Sequence, residues 1–188
     1  MISLSPQLKR SLRDIMYFCL LLILVQGINT ISLGAVSALG IVPRSASGLI
    51  GIPLAPLIHH GWLHLLSNLL PLAILMFLVA QLGRVILWQS TLVIALLGGA
   101  LVWLFGGTGV HAGASSLIFG YWGLLLANAW FSRSIKSVFI AAIVLLAYGG
   151  MFWGLFHLKA NVSWSSHAFG TVAGIVMAWG LVKFKKLK

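Results

Sequence analysis

Apolar runs of bilayer-spanning length recur along this chain, separated by breaks too short to fold into anything of their own. A span needs about 20 apolar residues to cross about 30 Å of hydrocarbon, and 188 residues filled with such runs leave no room for a separate soluble domain. With 61% of residues hydrophobic and 7% charged, there is too little polar surface to clothe a water-soluble globule. The expectation is one domain over residues 1–188, an all-α polytopic membrane bundle with six transmembrane helices.

The first run extends from Ile15 to Val25 and continues more weakly to Leu39, behind the polar segment that carries Lys9, Arg10, Arg13 and Asp14. Ala35-Val36-Ser37-Ala38 has the small residues of a signal-peptide cleavage site. It lies about 20 residues past the start of the run, beyond the usual 7 to 15 residue apolar core, so an uncleaved first span is expected. Residues 40–58, with Pro43, Gly48, Gly51, Pro53 and Pro56, are broken too often to span and are read as an outer loop or shallow interfacial segment. Five further spans are expected at Trp62 to Gln81, Val85 to Phe105, Ser115 to Phe131, Ser137 to Phe156 and Ser165 to Val182.

Of the twelve Lys and Arg residues, ten fall in the N-terminus, the turns at Arg84 and at Arg133 and Lys136, and the basic tail; Arg44 and Lys159 fall on the other side. Basic loops stay cytoplasmic, which puts both termini there and requires an even number of spans. A multi-pass protein of a bacterial-type plasma membrane fits this pattern. The net charge of +11 sits in clusters flanking apolar runs, where it sets orientation, so nucleic acid is not an expected partner; the lipid bilayer is.

Acidic residues are almost absent: Asp14 is the only one. A paired-aspartate protease, an HExxH metalloprotease and a Ser-His-Asp triad each need carboxylates that this chain lacks, and proton relay through membrane carboxylates is weakened. Cys19 is the only cysteine, which excludes an internal disulfide and a CxxC site. No cofactor and no metal are expected.

The polar residues that remain are unusual in their placement. Gly106-Gly107-Thr108-Gly109 and Gly113 cannot form a helix interior, at roughly 1 kcal/mol per Gly against Ala, so Ser115 falls at a helix start. There the unsatisfied N–H groups and the helix dipole favour developing negative charge; a simple N-cap is the commoner use of such a serine. His64 opens the second span with Asn68 four residues later on the same face, and His167 opens the sixth. His59 and His60 are read as interfacial, and His111 and His157 as loop residues.

Three helices thus carry polar groups at one depth, and such groups within spans usually face the bundle interior. Together they could hydrolyse an amide without a carboxylate. A neutral His167 could take the Ser115 proton and return it to the leaving amine, while His64 and Asn68 could donate to an oxyanion beside the Ser115 N–H. His167, Gly170 and Gly174 share a face, and small residues four apart let helix backbones approach closely; Gly120 and Gly123 offer a slim partner face. Phe119, one turn after Ser115, is placed to pack on the His167 ring.

At these residues the chain resembles the rhomboid family of intramembrane serine proteases. The motifs are Gly113-x-Ser115 opening the fourth span, His59-x4-His64-x3-Asn68 opening the second, and His167-x2-Gly170-x3-Gly174 in the sixth. The resemblance implies Ser115 as nucleophile, His167 as general base, and His64, Asn68 and the Ser115 N–H as the oxyanion site, with Gly113, Phe119, Gly170 and Gly174 in support. It also implies substrates that are single-span membrane proteins, cut near the outer face. The chain departs from the family's usual pattern in carrying Ser116 after the nucleophile position and Phe119 rather than Tyr, and in lacking a Trp-Arg pair in the loop at 40–58. Two other readings stand beside it: a catalytically inactive rhomboid-like binder of membrane helices, and a transporter using His59, His60, His64 and His167 as imidazole ligands for a metal or solute.

Overall fold

A computed structural model describes residues 5–155 and 163–185; His157, Lys159 and the end of the fifth span expected at Phe156 lie outside the described residues. Six principal helices form the bundle: α1 (Pro6–Ile31), α2 (Trp62–Ala80), α3 (Arg84–Phe105), α4 (Ser115–Ser132), α5 (Ile135–Tyr148) and α6 (Trp164–Lys185). Among the described residues there is no strand, only an isolated antiparallel bridge between Ile41 and His111. The chain is an all-helical, multi-pass membrane protein. Among the described residues four helices are long and apolar enough to cross a membrane: α1, α2, α3 and α6.

The membrane inverts the usual amphipathic rule, and α1 shows it. Met16, Tyr17, Leu20, Leu24, Ile28 and Ile31 are exposed, whereas Ser11, Asp14, Gln26 and Asn29 are buried, because hydrocarbon tolerates an apolar surface and penalises an unpaired polar one. Asp14 accepts hydrogen bonds from Arg84 Nε (2.6 Å) and Trp88 Nε1 (3.1 Å), joining α1 to the start of α3. The helix starts nine residues before the expected Ile15. Ser5 caps it through a bond from the Leu8 N–H and Pro6 occupies the first turn, so the polar segment is helical. It also ends earlier than Leu39, where Leu33 and Gly34 turn to positive φ.

Residues 40–58 fold as consecutive short helical turns, Ala46–Ile50, Gly51–Leu54 and Ala55–Leu57. They are stitched to the end of α3: Arg44 Nη1 donates to the carbonyls of Leu104 (3.3 Å) and Gly106 (2.9 Å), and Trp103 Nε1 donates to Ser45 O (2.8 Å). The Leu104 and Gly106 carbonyls are ones that a helix C-terminus leaves without intrahelical partners.

The closest packing is between α4 and α6. A Cβ built on Gly170 or Gly174 would collide with the carbonyl oxygens of Ser116 and Gly120, and one on Gly123 would lie 2.8 Å from Thr171 O. Only backbones without side chains come so near. On its third side α4 meets α3, where a π-helical turn at Ile94–Gly98 places Ile94 against Gly120. Tyr121 is fully buried and donates to Thr91 Oγ1 (2.6 Å), whose own proton goes to Leu87 O (2.8 Å).

The fifth apolar segment is shorter than expected. It leaves regular helix at Gly149 and Gly150, residues costly in a helix, and resumes as a single turn at Met151–Gly154. At 14 residues, α5 spans about 21 Å, less than the hydrocarbon thickness.

Candidate active site

Ser115 is the first residue of α4, two residues after a glycine that the backbone demands. Gly113 has φ +128°, and a Cβ there would lie 2.8 Å from His64 Cε1, 2.9 Å from His64 Nε2 and 3.7 Å from Ser115 Oγ. The absent side chain is what lets the His64 ring lie beside the serine. Gly113 N–H donates to Ala55 O (2.9 Å) and Ala114 N–H to His59 Nε2 (3.2 Å), so both residues before Ser115 are tied down. As the first helical residue, Ser115 has a backbone N–H without an intrahelical acceptor.

His167 is set by two contacts. Its Nδ1 faces Gly154 O at 3.2 Å; a carbonyl can only accept, so Nδ1 carries the proton and Nε2 keeps its lone pair. Its ring stacks on Phe119, with centroids 4.0 Å apart and planes at 10°. Gly154 serves both contacts, since a Cβ on it would come within 2.8 Å of Phe119 Cζ. A backbone carbonyl thus stands where a triad would use a carboxylate to fix the tautomer.

Ser115, His64, Asn68, Phe119 and His167 all line one open cavity of about 1290 Å³. Asn68 is buried and its Nδ2 donates to His64 O at 2.6 Å, leaving the amide a second N–H to give. Gly113, Gly170 and Gly174 do not line the cavity; they permit the approach of His64 to Ser115 and of α6 to α4. Ser116 lies on the other side, in a crevice of about 10 Å³ with Ile52, Ala55 and Ser166.

Residues 46–184 match the family model described as the Rhomboid domain. The chain belongs to the rhomboid family. Relatives of this rhomboid include an uncharacterised protein of Mycobacterium tuberculosis, 38% identical over 174 residues, 88% of this chain and 72% of that one. Another is an uncharacterised protein of Mycobacterium leprae, 34% identical over 88% of this chain and 69% of that one. Rhomboid-like protein 11, chloroplastic, of Arabidopsis thaliana is 31% identical over 67% of this chain and 50% of that protein.

The rhomboid's other histidines correct the reading from sequence. His59, expected at the interface, is fully buried beneath the site, with its carbonyl accepting from Asn29 Nδ2 (3.1 Å). Burial away from water and the nearby His64 push its pKa down to about 4. His60 is the exposed one, its ring stacked over His64 with centroids 6.3 Å apart. His111 does lie in a loop, but it is buried and lines the cavity. Among the described residues no three His, Cys, Asp or Glu side chains are grouped to hold a metal ion. Gly154 had no signal in the sequence, because its contribution is a carbonyl that every residue has.

Proposed function

We propose that this rhomboid is an intramembrane serine endopeptidase that cuts single-span membrane proteins through a Ser115–His167 dyad. The observation that carries this reading is the contact of His167 Nδ1 with the Gly154 carbonyl, from which the tautomer follows. With Nδ1–H donated to Gly154 O and the ring held against Phe119, Nε2 is left as a base in the same cavity as the Ser115 hydroxyl. The position of Ser116 in a separate crevice favours Ser115 as the nucleophile.

In this mechanism Ser115 Oγ bonds to the scissile carbonyl carbon as its proton passes to His167 Nε2. The carbonyl oxygen, now anionic, is met by the Ser115 N–H, by His64 Nε2 beside Gly113 and by the second N–H of Asn68. The C–N bond then breaks, His167 returns the proton to the departing amine, and water repeats the sequence to release the acyl group. His167 needs no carboxylate, because the Gly154 carbonyl keeps its ring in the basic tautomer.

In the full topology proposed here, α4 and α5 also cross the bilayer, giving six spans with both termini in the cytoplasm and the cavity toward the outer face. A helix in hydrocarbon has its amides bonded internally, and opening it there leaves polar groups unsatisfied. Substrates therefore carry Gly or Pro in the outer part of their span, where water reaching the cavity satisfies the unwound backbone, with a small residue before the bond that is cut.

The test is cleavage of a single-span substrate by the purified protein in detergent. Ser115→Ala and His167→Ala should each abolish cleavage while the protein stays folded. His64→Ala and Asn68→Ala should each lower kcat by about 10 to 1000-fold with little change in KM. Cleavage that survives Ser115→Ala and His167→Ala would end the serine mechanism, and a folded wild-type protein that binds single-span substrates without cutting them would be a binder of membrane helices.

A further inference from the structure

The loop that carries the nucleophile and the helix that carries the base are joined by a hydrogen bond between two residues outside the family motifs. His111, four residues before Ser115, is immobilised on three sides. Its backbone exchanges bonds with Ile41 (2.9 and 2.8 Å), and its ring Nε2 faces Gly107 O at 2.9 Å. A carbonyl only accepts, so Nε2 carries the proton and Nδ1 presents a lone pair.

That lone pair meets Ser163 Oγ at 2.6 Å. Ser163, four residues before His167, sits at the cap position of α6: its Oγ accepts from the Ser166 N–H (3.3 Å) and its carbonyl from the His167 N–H (3.3 Å). With the His111 tautomer fixed, Ser163 must be the donor to Nδ1. The nearby Ser166 hydroxyl, 2.7 Å away, then donates to Ser163 Oγ. The chain from the Gly107 carbonyl through His111 to the first turn of α6 therefore has one consistent direction.

We propose that His111 and Ser163 are positioning residues that set the register of His167 against Ser115. α4 and α6 are already in backbone contact deeper in the bundle through Gly170 and Gly174, but that contact lies beyond His167. The His111 bond fixes α6 at the end before His167, so the base is held from both sides. This role rests on the dyad reading, since a helix binder would have no need to hold His167 at a set distance from Ser115.

Substitutions at Ser163 separate this bond from helix capping. Ser163→Gly removes the donor while costing the cap only a few tenths of a kcal/mol, and Ser163→Thr keeps both functions. His111→Leu removes the acceptor, and His111→Asn replaces it with an oxygen near the Nδ1 position. The full chain in detergent is assayed for labelling of Ser115 by a fluorophosphonate probe, for kcat and KM on a single-span substrate, and for thermal stability. Ser163→Gly and His111→Leu should each slow labelling and lower kcat about 3- to 10-fold, the loss one neutral hydrogen bond carries. KM should stay within about twofold, and Ser163→Thr and His111→Asn should recover most of the rate. The double variant should be no slower than the slower single one, because one bond is lost only once. Wild-type labelling at Ser115 with unchanged rates in Ser163→Gly, or with losses that multiply in the double variant, would overturn the positioning role alone. No labelling of Ser115 in the wild type would overturn the dyad, and the positioning role with it.

Discussion

Gly113→Ala separates two kinds of strain at the site, because Gly109 in the same loop supplies its control. Both glycines have positive φ, +128° and +105°, so a side chain at either costs about 1 to 3 kcal/mol of backbone strain. They differ in space. Around Gly109 there is nothing within 4 Å of a built Cβ, whereas at Gly113 it meets His64 Cε1 and Nε2 at 2.8 and 2.9 Å, closer than carbon atoms pack. The imidazole must move by several tenths of an ångström or more, away from the point it shares with Ser115 Oγ. If His64 donates to the oxyanion, that displacement removes a transition-state bond, at a typical loss of about 100- to 1000-fold in kcat. Gly109→Ala should lower thermal stability with kcat within about threefold of wild type. Gly113→Ala should lower stability by a similar amount and kcat by about 100-fold or more. The double variant Gly113→Ala, His64→Ala should be no slower than His64→Ala, because the ring is lost only once. Kinetics on a single-span substrate and melting curves on the same samples provide both readings. Equal kcat losses for the two glycines, or losses that multiply with His64→Ala, would refute the role given to the His64 ring.

Three further outcomes are expected. Thr91→Val should destabilise more than Tyr121→Phe: the first leaves the fully buried Tyr121 hydroxyl without its acceptor, at about 1 to 3 kcal/mol, while the second leaves Thr91 still bonded to Leu87 O, at about 1 kcal/mol. His59 has a folded pKa near 4 against 6.5 in an open chain, so the unfolded state takes its proton first. The stability that neutral His59 contributes is then complete above pH 6.5 and declines as pH falls toward 4. The melting temperature of His59→Gln should depend less on pH than that of the wild type in this window, and matching profiles would rule this out. Phe119→Leu removes the ring stacked on His167 and should lower kcat by about 2- to 10-fold, read against a Leu125→Ala variant that unpacks α4 away from the cavity.

What could be read from residues alone follows from how locally each feature is encoded. Apolar length announced the helices, and glycines marked where α4 had to begin, because both act through the residue itself. The start of α1 was missed, since Ser5 and Pro6 outweigh the charges of Lys9, Arg10 and Arg13 once the helix is capped. The end of α5 was missed because the two glycines at 149 and 150 were given less weight than the apolar residues beyond them. At the candidate site, the residues with distinctive chemistry could be named in advance, but their orientation could not. The acceptor for His167 is the carbonyl of Gly154, and the partner of His111 is a serine 52 positions along the chain, so neither has a pattern of types or spacing to betray it. His59 looked interfacial because histidine is cheap at an interface; its burial follows from Asn29 on α1 and the N–H of Ala114, two partners distant in sequence.

The dyad is tested most directly by mapping the residue that a fluorophosphonate probe modifies in the purified protein. Such a probe reacts with a serine whose proton is removed by a neighbouring base. Labelling should fall on Ser115, disappear in His167→Ala and persist in Ser116→Ala. A label on Ser116, or labelling of Ser115 that is undiminished in His167→Ala, would contradict the assignment of nucleophile and base.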